Sequence, residues 1–367
     1  MFWVFEVWRR RVQVAPIALI IALFNFLVLM INGLGIGLNE QAGSALRNFD
    51  ADAIAYSDAA GLSVIRSELS QEQVDRIAAD SGAEAATPLG YVAANYRTSD
   101  GLVRSAAFLG FDVGSFAEPD VVRGRMLTAA DNDGLLADRG LLRRAGLEVG
   151  DTVTITLRLT AREFQIIGET NEGAFFFQPS VYVLRSTWQE LKYGERNDGG
   201  PVASIVLLQG DDLAGKSGEG WEAVSKSVAF ANIEGVSGQQ STIQALRAFG
   251  YIIGGLVIGV FFYVLTLQKI GQIGVLKAVG ASSFFLFRQV VVQVMVIAIA
   301  GVAIAVPLAW FTNELIKQST SPVPISFTNG TFITTSVLLV VMALVGAMFS
   351  GRQVARVDPI IALGQQQ

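Results

Sequence analysis

Residues Gly210–Ser217 read GDDLAGKS and satisfy G-x-x-x-x-G-K-[ST], the pattern of a loop that cradles phosphates. They follow a strand-like run, ASIVLLQ. A working cradle needs a helix to start at Lys216, so that free backbone amides and the positive end of the helix dipole face the anion. Gly218 and Gly220 interrupt that helix, and Asp211 and Asp212 would put two negative charges in the cradle. No hydrophobic strand ending in aspartate follows to hold magnesium. The stretch is therefore expected to be a turn. Histidine and cysteine are absent from the 367 residues, which excludes disulfides, thiolate chemistry, the usual zinc sites and histidine-based triads or relays. With no recognisable nucleophile–base pair, an enzyme is disfavoured, and neither an intrinsic cofactor nor a metal site is expected. The net charge of −5 argues against a nucleic-acid partner.

A second stretch, KIGQIGVLKAVGASSFFLFRQ (Lys269–Gln289), has residue types suited to recognition rather than reaction. It carries two lysines, an arginine and an aliphatic rhythm between two strongly apolar runs. The pattern predicts a short amphipathic helix, Ile270–Val279, lying against a bilayer with Lys269 and Lys277 in water. Gly280-Ala281-Ser282 should break it, with Ser282 or Ser283 capping the next helix. Two roles are open for such a segment: docking an energy-supplying partner, or anchoring a helix bundle at the interface. Inside the apolar runs the polar groups are few: Asn25, Asn32, Gln293 and some hydroxyls. A pore for a hydrophilic solute would need a more polar lining. Asn25 and Asn32 are seven apart on one helical face, placed either to hydrogen-bond across a dimer seam or to glue helices within one copy. Gly250, Gly254, Gly255 and Gly259 form small-xxx-small pairs, a candidate close-packing face.

These residues need a membrane to position them. The chain is 51% hydrophobic and only 16% charged, whereas soluble domains run near a quarter charged. The excess sits in four runs without a charged residue: Val14–Ile36, Ala248–Leu267, Val290–Phe311 and Phe332–Phe349. About 20 apolar residues suffice for a helix to cross the hydrocarbon core. The first run is longer than a signal-peptide core of roughly 7–15 residues, and no clean small-x-small site follows, so it is expected to be retained. Lysine and arginine concentrate in the N-terminal tail, the Lys269–Gln289 segment and the C-terminal tail, which puts all three in the cytoplasm. The expected order is a tail (1–13), a span (14–36), an extracytoplasmic domain (37–247) and a second span (248–267). A cytoplasmic loop (268–289), a third span (290–311), a short outer loop (312–331), a fourth span (332–349) and a tail (350–367) complete it. The large insert reads as a folded α+β domain. SQEQVDRIAAD (Ser70–Asp80) begins with a capping serine and has Gln73 three residues on. DTVTITLRL and REFQIIGE alternate like paired strands, and PSVYVLRSTWQELKYG reads as a strand leading into a helix capped by Ser186.

With this layout, the Lys269–Gln289 segment resembles the coupling loop of MacB/FtsX-type ABC transporter permeases. The match is carried by Lys269, Ile273, Gly274, Val275, Leu276, Lys277, Ala278, Val279, Gly280, Ala281, Ser282 and Arg288. The tail ARVDPIIAL (Ala355–Leu363) resembles the family's C-terminal motif, and GRMLTAADNDGLLADRGLLRRAGLEVGDTVTI resembles its extracytoplasmic core. Gly271 and Gln272 stand where many members have Arg-Glu, so an acidic contact is missing here. The resemblance implies four spans arranged one plus three, a homodimer, and two copies of a separate cytoplasmic ATPase that binds the ATP. It implies that Lys269, Ile273, Leu276, Lys277, Gly280 and Ser282 receive the ATPase's movement, and that the permease lies in a bacterial plasma membrane. The expected function is mechanotransmission-type export of a hydrophobic or amphipathic substrate. The alternative is a relay that drives an outer enzyme or receptor without transport. INGLGIGLNEQAGSAL looks similar to haem-exporting permeases of the HrtB kind, which makes haem a candidate substrate. Without histidine or cysteine, an axial ligand would be methionine, tyrosine or a carboxylate, with Met30 a candidate; its other reading is flexible apolar filler. Phe175, Phe176 and Phe177 are placed either to meet a planar or lipid-like ligand or to edge the outer domain's core.

Overall fold

The computed structural model describes residues 11–157, 160–171, 173–194, 200–268, 270–317 and 323–356. Lys269 and the tail motif beyond Arg356 lie outside the described residues. The chain divides into two compact units, Leu38–Gln239 and Met1–Gly37 with Gln240–Gln367.

The first unit is a sheet domain. Its strands are β1 (Ala53–Ser57), β2 (Ala85–Arg97), β3 (Val103–Phe111), β4 (Val121–Gly124), β5 (Gly134–Asp138) and β6 (Thr152–Leu157). They continue with β7 (Thr160–Thr170), β8 (Ala174–Phe175), β9 (Gln178–Leu184), β10 (Ile205–Gln209), β11 (Ser217–Gly218) and β12 (Trp221–Ser225). Hydrogen bonding orders them β11-β12-β1-β10-β2-β3-β9-β5-β7-β4, with β6 bridging β2 and β7, and β8 pairing with β9. Most pairs are antiparallel, but β3–β9 and β5–β7 are parallel. The predicted strand pair is present as β6 and β7, in register from Thr152↔Gln165 to Leu157↔Thr160. Three apolar clusters line the sheet, one around Tyr91, Phe111, Phe175 and Leu207, a second around Phe108, Phe164 and Trp188, and a third around Leu69, Ile77 and Trp221.

Chemistry at the chain level explains the helix ends. Ser70 caps the helix Gln71–Asp80 with a full capping box: its Oγ accepts from Gln73 N–H, and its own N–H donates to Gln73 Oε1 at 3.0 Å. The helix after β9 differs from expectation. It starts at Arg185, with Leu184 at the cap position and no side-chain cap, so Ser186 is already inside it. Strand β9 runs straight to Leu184, and Arg185 is held by Asp112 at 2.9 Å, which fixes the first turn without a hydroxyl. The GRMLT stretch closes on itself: Arg125 grips Asp131 with two hydrogen bonds of 2.7 and 2.8 Å, and Thr128 N–H adds a third at 2.7 Å. These donors hold the Asp131 carboxyl well below the usual carboxylate range, Arg125 contributing most.

Among the described residues, the helices long and apolar enough to cross a membrane are Ala15–Asn48, Val236–Gln268, Ser283–Lys317 and Asn329–Gly346. One precedes the sheet domain and three follow it in sequence, so the chain is a multi-pass membrane protein with a large α+β insert. The full helices are α1 (Arg11–Asn48), α6 (Val236–Gln268), α8 (Ser283–Lys317) and α9 (Asn329–Arg356), with a short α7 (Ile270–Ala278) between α6 and α8. The described helices α2 to α5 are Gln71–Asp80, Arg139–Ala145, Arg185–Tyr193 and Lys226–Ala231. At 33 residues α6 is about 50 Å long, well beyond a hydrocarbon core of about 30 Å. Hydropathy therefore marks only the part of each helix that meets lipid, while the hydrogen-bonded ladder continues past it. The α6 glycines divide their work. Gly250 and Gly254 admit Val28 and Phe24 of α1, whereas Gly255 and Gly259 admit Met342 and Gly346 of α9. A β-carbon on Gly346 would stand 3.1 Å from the Gly259 Cα, so a larger residue there would push the two helices apart by a few tenths of an ångström.

Candidate functional site

Helix α7 and the turn after it form a compact, sequence-determined unit. Gly280 has φ +102°, its N–H donates to Lys277 O at 3.0 Å, and Ala281 N–H donates to Leu276 O at 2.9 Å. That pair of bonds is the Schellman closure, which satisfies carbonyls the ended helix would leave orphaned. Ser282 then caps α8, its Oγ accepting from Phe285 N–H at 3.2 Å. Ile273 and Leu286 are buried against Ala281 and Val290, which fixes α7 to the start of α8. The opposite side presents Leu276, Val279, Phe284 and Phe285 outward, Val279 and Phe284 at 82% and 74% exposure. Lys277 lies beside them, partly exposed. An apolar surface of this kind, flanked by a cation and made rigid by a double cap, suits a protein partner better than water.

The intramembrane polar residues have different fates. Asn32 is buried, and its Nδ2 donates to Thr335 Oγ1 at 2.9 Å and Tyr251 Oη at 3.3 Å, joining α1 to α9 and α6. Both asparagines are therefore inside one copy, Asn32 as helix glue. Asn25 is fully buried, and neither amide atom has a partner among the described residues. Met30 is partly buried in a cluster with Leu29, Ala305, Ala309 and Phe332.

A residue that hydropathy passes over, Arg247, stands at the head of the apolar run of α6. Its Nη2 reaches the Asn32 carbonyl at 3.4 Å, while its Nε is buried without an acceptor. In the sequence it is only a lone arginine abutting an apolar run; the structure sets it against the glycine-rich stretch of α1.

In the sheet domain, Phe175 is buried and stacks edge-on against Tyr91 at 5.2 Å and Phe176 at 4.7 Å. The three phenylalanines therefore edge that domain's core, with Phe177 the most exposed. GDDLAGKS is a loop between β10 and β11 with no helix at Lys216. Lys216 Nζ instead donates to Ser81 O at 2.6 Å, neutralising the carbonyl end of α2. Burial and the carboxylate of Glu234 push the Tyr56 and Tyr91 phenols above their ordinary range, so both stay protonated.

Residues 17–219 match the MacB-like periplasmic core domain, and residues 234–359 match the FtsX-like permease C-terminal domain. A Staphylococcus haemolyticus protein, named as the HrtB permease of a hemin transport system, is 27% identical over 98% of this chain and 97% of its own. An uncharacterized ABC transporter permease of Mycobacterium tuberculosis is 23% identical over 97% of each chain. Among solved structures, the periplasmic region of MacB from Actinobacillus actinomycetemcomitans aligns at 17% identity with a TM-score of 0.36, over 52% of this chain and 98% of that one. With one apolar helix, an α+β core of the MacB kind and three further helices of the FtsX kind, the chain belongs to the MacB/FtsX-type ABC transporter permeases.

Proposed function

We propose that this permease couples ATP hydrolysis by a separate ATPase to the extrusion of a hydrophobic or amphipathic molecule by mechanotransmission. What carries the proposal is the doubly capped α7 turn, which presents Leu276, Val279 and Phe284 outward between two apolar helices. Two ATPase copies dock on that surface in a homodimer of the permease, with both termini and α7 in the cytoplasm and the sheet domain outside. The arginines and lysines flanking α7 and the tails support this orientation. A rigid turn transmits displacement, where a flexible loop would absorb it. The scarcity of polar side chains in the spans fits a substrate that enters from the lipid or from outside better than one crossing a wet pore. Haem, or a lipid-like amphiphile, is the substrate class. The name of the staphylococcal relative supports haem, and Met30 is the thioether available in α1.

The test is Leu276→Glu in a permease co-reconstituted with its ATPase, with haemin and a short-chain phospholipid as trial cargo. A carboxylate there should leave the permease folded, weaken ATPase capture at least tenfold and abolish ATP-dependent efflux. Capture and efflux at wild-type level would sink the docking role. ATPase coupling intact, with no amphiphile moved and an outer hydrolase stimulated, would replace export by the relay.

A further inference from the structure

We propose that Arg247 is an anion-binding subsite, which holds the carboxylate or phosphate group of an amphiphile at the head of the apolar run of α6. The inference rests on the export reading and names one residue of its substrate site. Arginines of the sheet domain illustrate what this side chain ordinarily does: Arg76, Arg125, Arg139, Arg162 and Arg185 each hold a carboxylate. Arg247 makes no ion pair among the described residues, although its position costs more. It abuts an apolar run and is only partly exposed. One nitrogen, Nη2, leans on a carbonyl, that of Asn32, at 3.4 Å. Nε is buried with no acceptor among the described residues, so the guanidinium is partly desolvated with no carboxylate of those residues beside it.

The space for the guanidinium is built into α1. A β-carbon on Gly35 would stand 2.5 Å from Nη2 and 3.3 Å from Cζ, so a side chain there would displace the fork from this position. The same stretch of α1 is pinned as well, because the Asn32 side chain is tied to Thr335 of α9 and Tyr251 of α6. A planar guanidinium that is only partly buried and holds no carboxylate among the described residues is suited to capture of a carboxylate or phosphate.

Binding to the full chain in phosphatidylcholine nanodiscs tests the proposal with two matched pairs of probes. Haemin is compared with its dimethyl ester, and fluorescent phosphatidylglycerol with phosphatidylcholine of the same chains. Wild type should prefer the anionic member of at least one pair by about tenfold, the weight of a charge-assisted hydrogen bond. Arg247→Gln and Gly35→Ala should remove that preference and leave affinity for the neutral member unchanged, while Arg247→Lys should keep part of it. Preference in the first pair assigns the site to a dicarboxylate cargo, and in the second to a lipid headgroup. If wild type prefers neither, or Arg247→Gln keeps the preference, the subsite is wrong. Selective binding with no ATP-driven efflux would keep the subsite and overturn export.

Discussion

At the residue scale, Gly280 shows how a single side-chain hydrogen can matter without any crowding. A β-carbon there would meet nothing within 4 Å, so the position does not select glycine for space. It selects glycine for φ +102°, a region that costs an ordinary residue about 1–2 kcal/mol and a β-branched one more. Gly280→Val is therefore expected to keep the α6–α8 packing but reopen the Schellman closure, freeing α7 to swing. Membrane insertion and thermal midpoint should stay near wild type, while ATP-dependent efflux falls at least tenfold. Gly280→Asn, which tolerates the left-handed region, should retain most of the efflux. Equal efflux from Gly280→Val and wild type would show that the turn's shape is irrelevant to coupling. This residue's role was legible in the sequence because glycine followed by Ala-Ser after an aliphatic helix pattern is a stop-and-restart signal. Arg247 was not, because a lone arginine acquires meaning only once Gly35 is seen to make room for it.

At the element scale, the turn joining β8 and β9 departs furthest from local preference. Phe176 and Phe177 have φ +50° and +61°, consecutive left-handed residues where a tight hairpin normally places Asn-Gly. The conformation persists because both amides are used: Phe176 N–H donates to Ala42 O at 3.0 Å and Phe177 N–H to Gln41 O at 2.9 Å. Those carbonyls precede Gly43, where α1 loses helical geometry, so the strained turn satisfies acceptors that the kink would orphan. Phe176 also packs on Tyr91 at 4.9 Å, whereas Phe177 is mostly at the surface. Phe177→Gly should therefore relieve strain, keep the donor and stabilise the turn by about 1 kcal/mol. Phe177→Pro removes the donor and forbids the φ, so it should destabilise. Hydrogen exchange of residues 38–48 and 174–178 separates the two: unchanged or slower for glycine, clearly faster for proline. Faster exchange in Phe177→Gly would mean that ring packing, not the amides, holds the turn. Three phenylalanines in a row read naturally as core strand, and nothing in their types announces a left-handed pair. Ser70, by contrast, declared its helix through a reciprocal box that is local by construction.

At the scale of the whole molecule, what was legible divides by range. Four apolar runs and a polar insert are properties of composition, and they appear as membrane helices and a sheet domain. The parallel pairs β3–β9 and β5–β7 are not, since each joins segments whose partnership depends on packing elsewhere. Domain edges fall between these cases. The sheet domain's core includes Ala42, Ala45, Leu46 and Phe49 at one end and Ile233 and Val236 at the other, all in helical or flanking segments that hydropathy cannot apportion. Leu46 is 1% exposed and Phe49 6%, and deleting such side chains typically costs about 2–5 kcal/mol each. Set against a domain stability of about 5–15 kcal/mol, their loss is decisive. A fragment covering residues 38–239 should therefore unfold cooperatively in urea with a fixed near-ultraviolet signature. One covering residues 50–233 contains every strand, but it should be expanded, dye-binding and without a sharp transition. Matching urea midpoints for the two would show that the helix ends are ornaments on the sheet domain, and that its core closes without them.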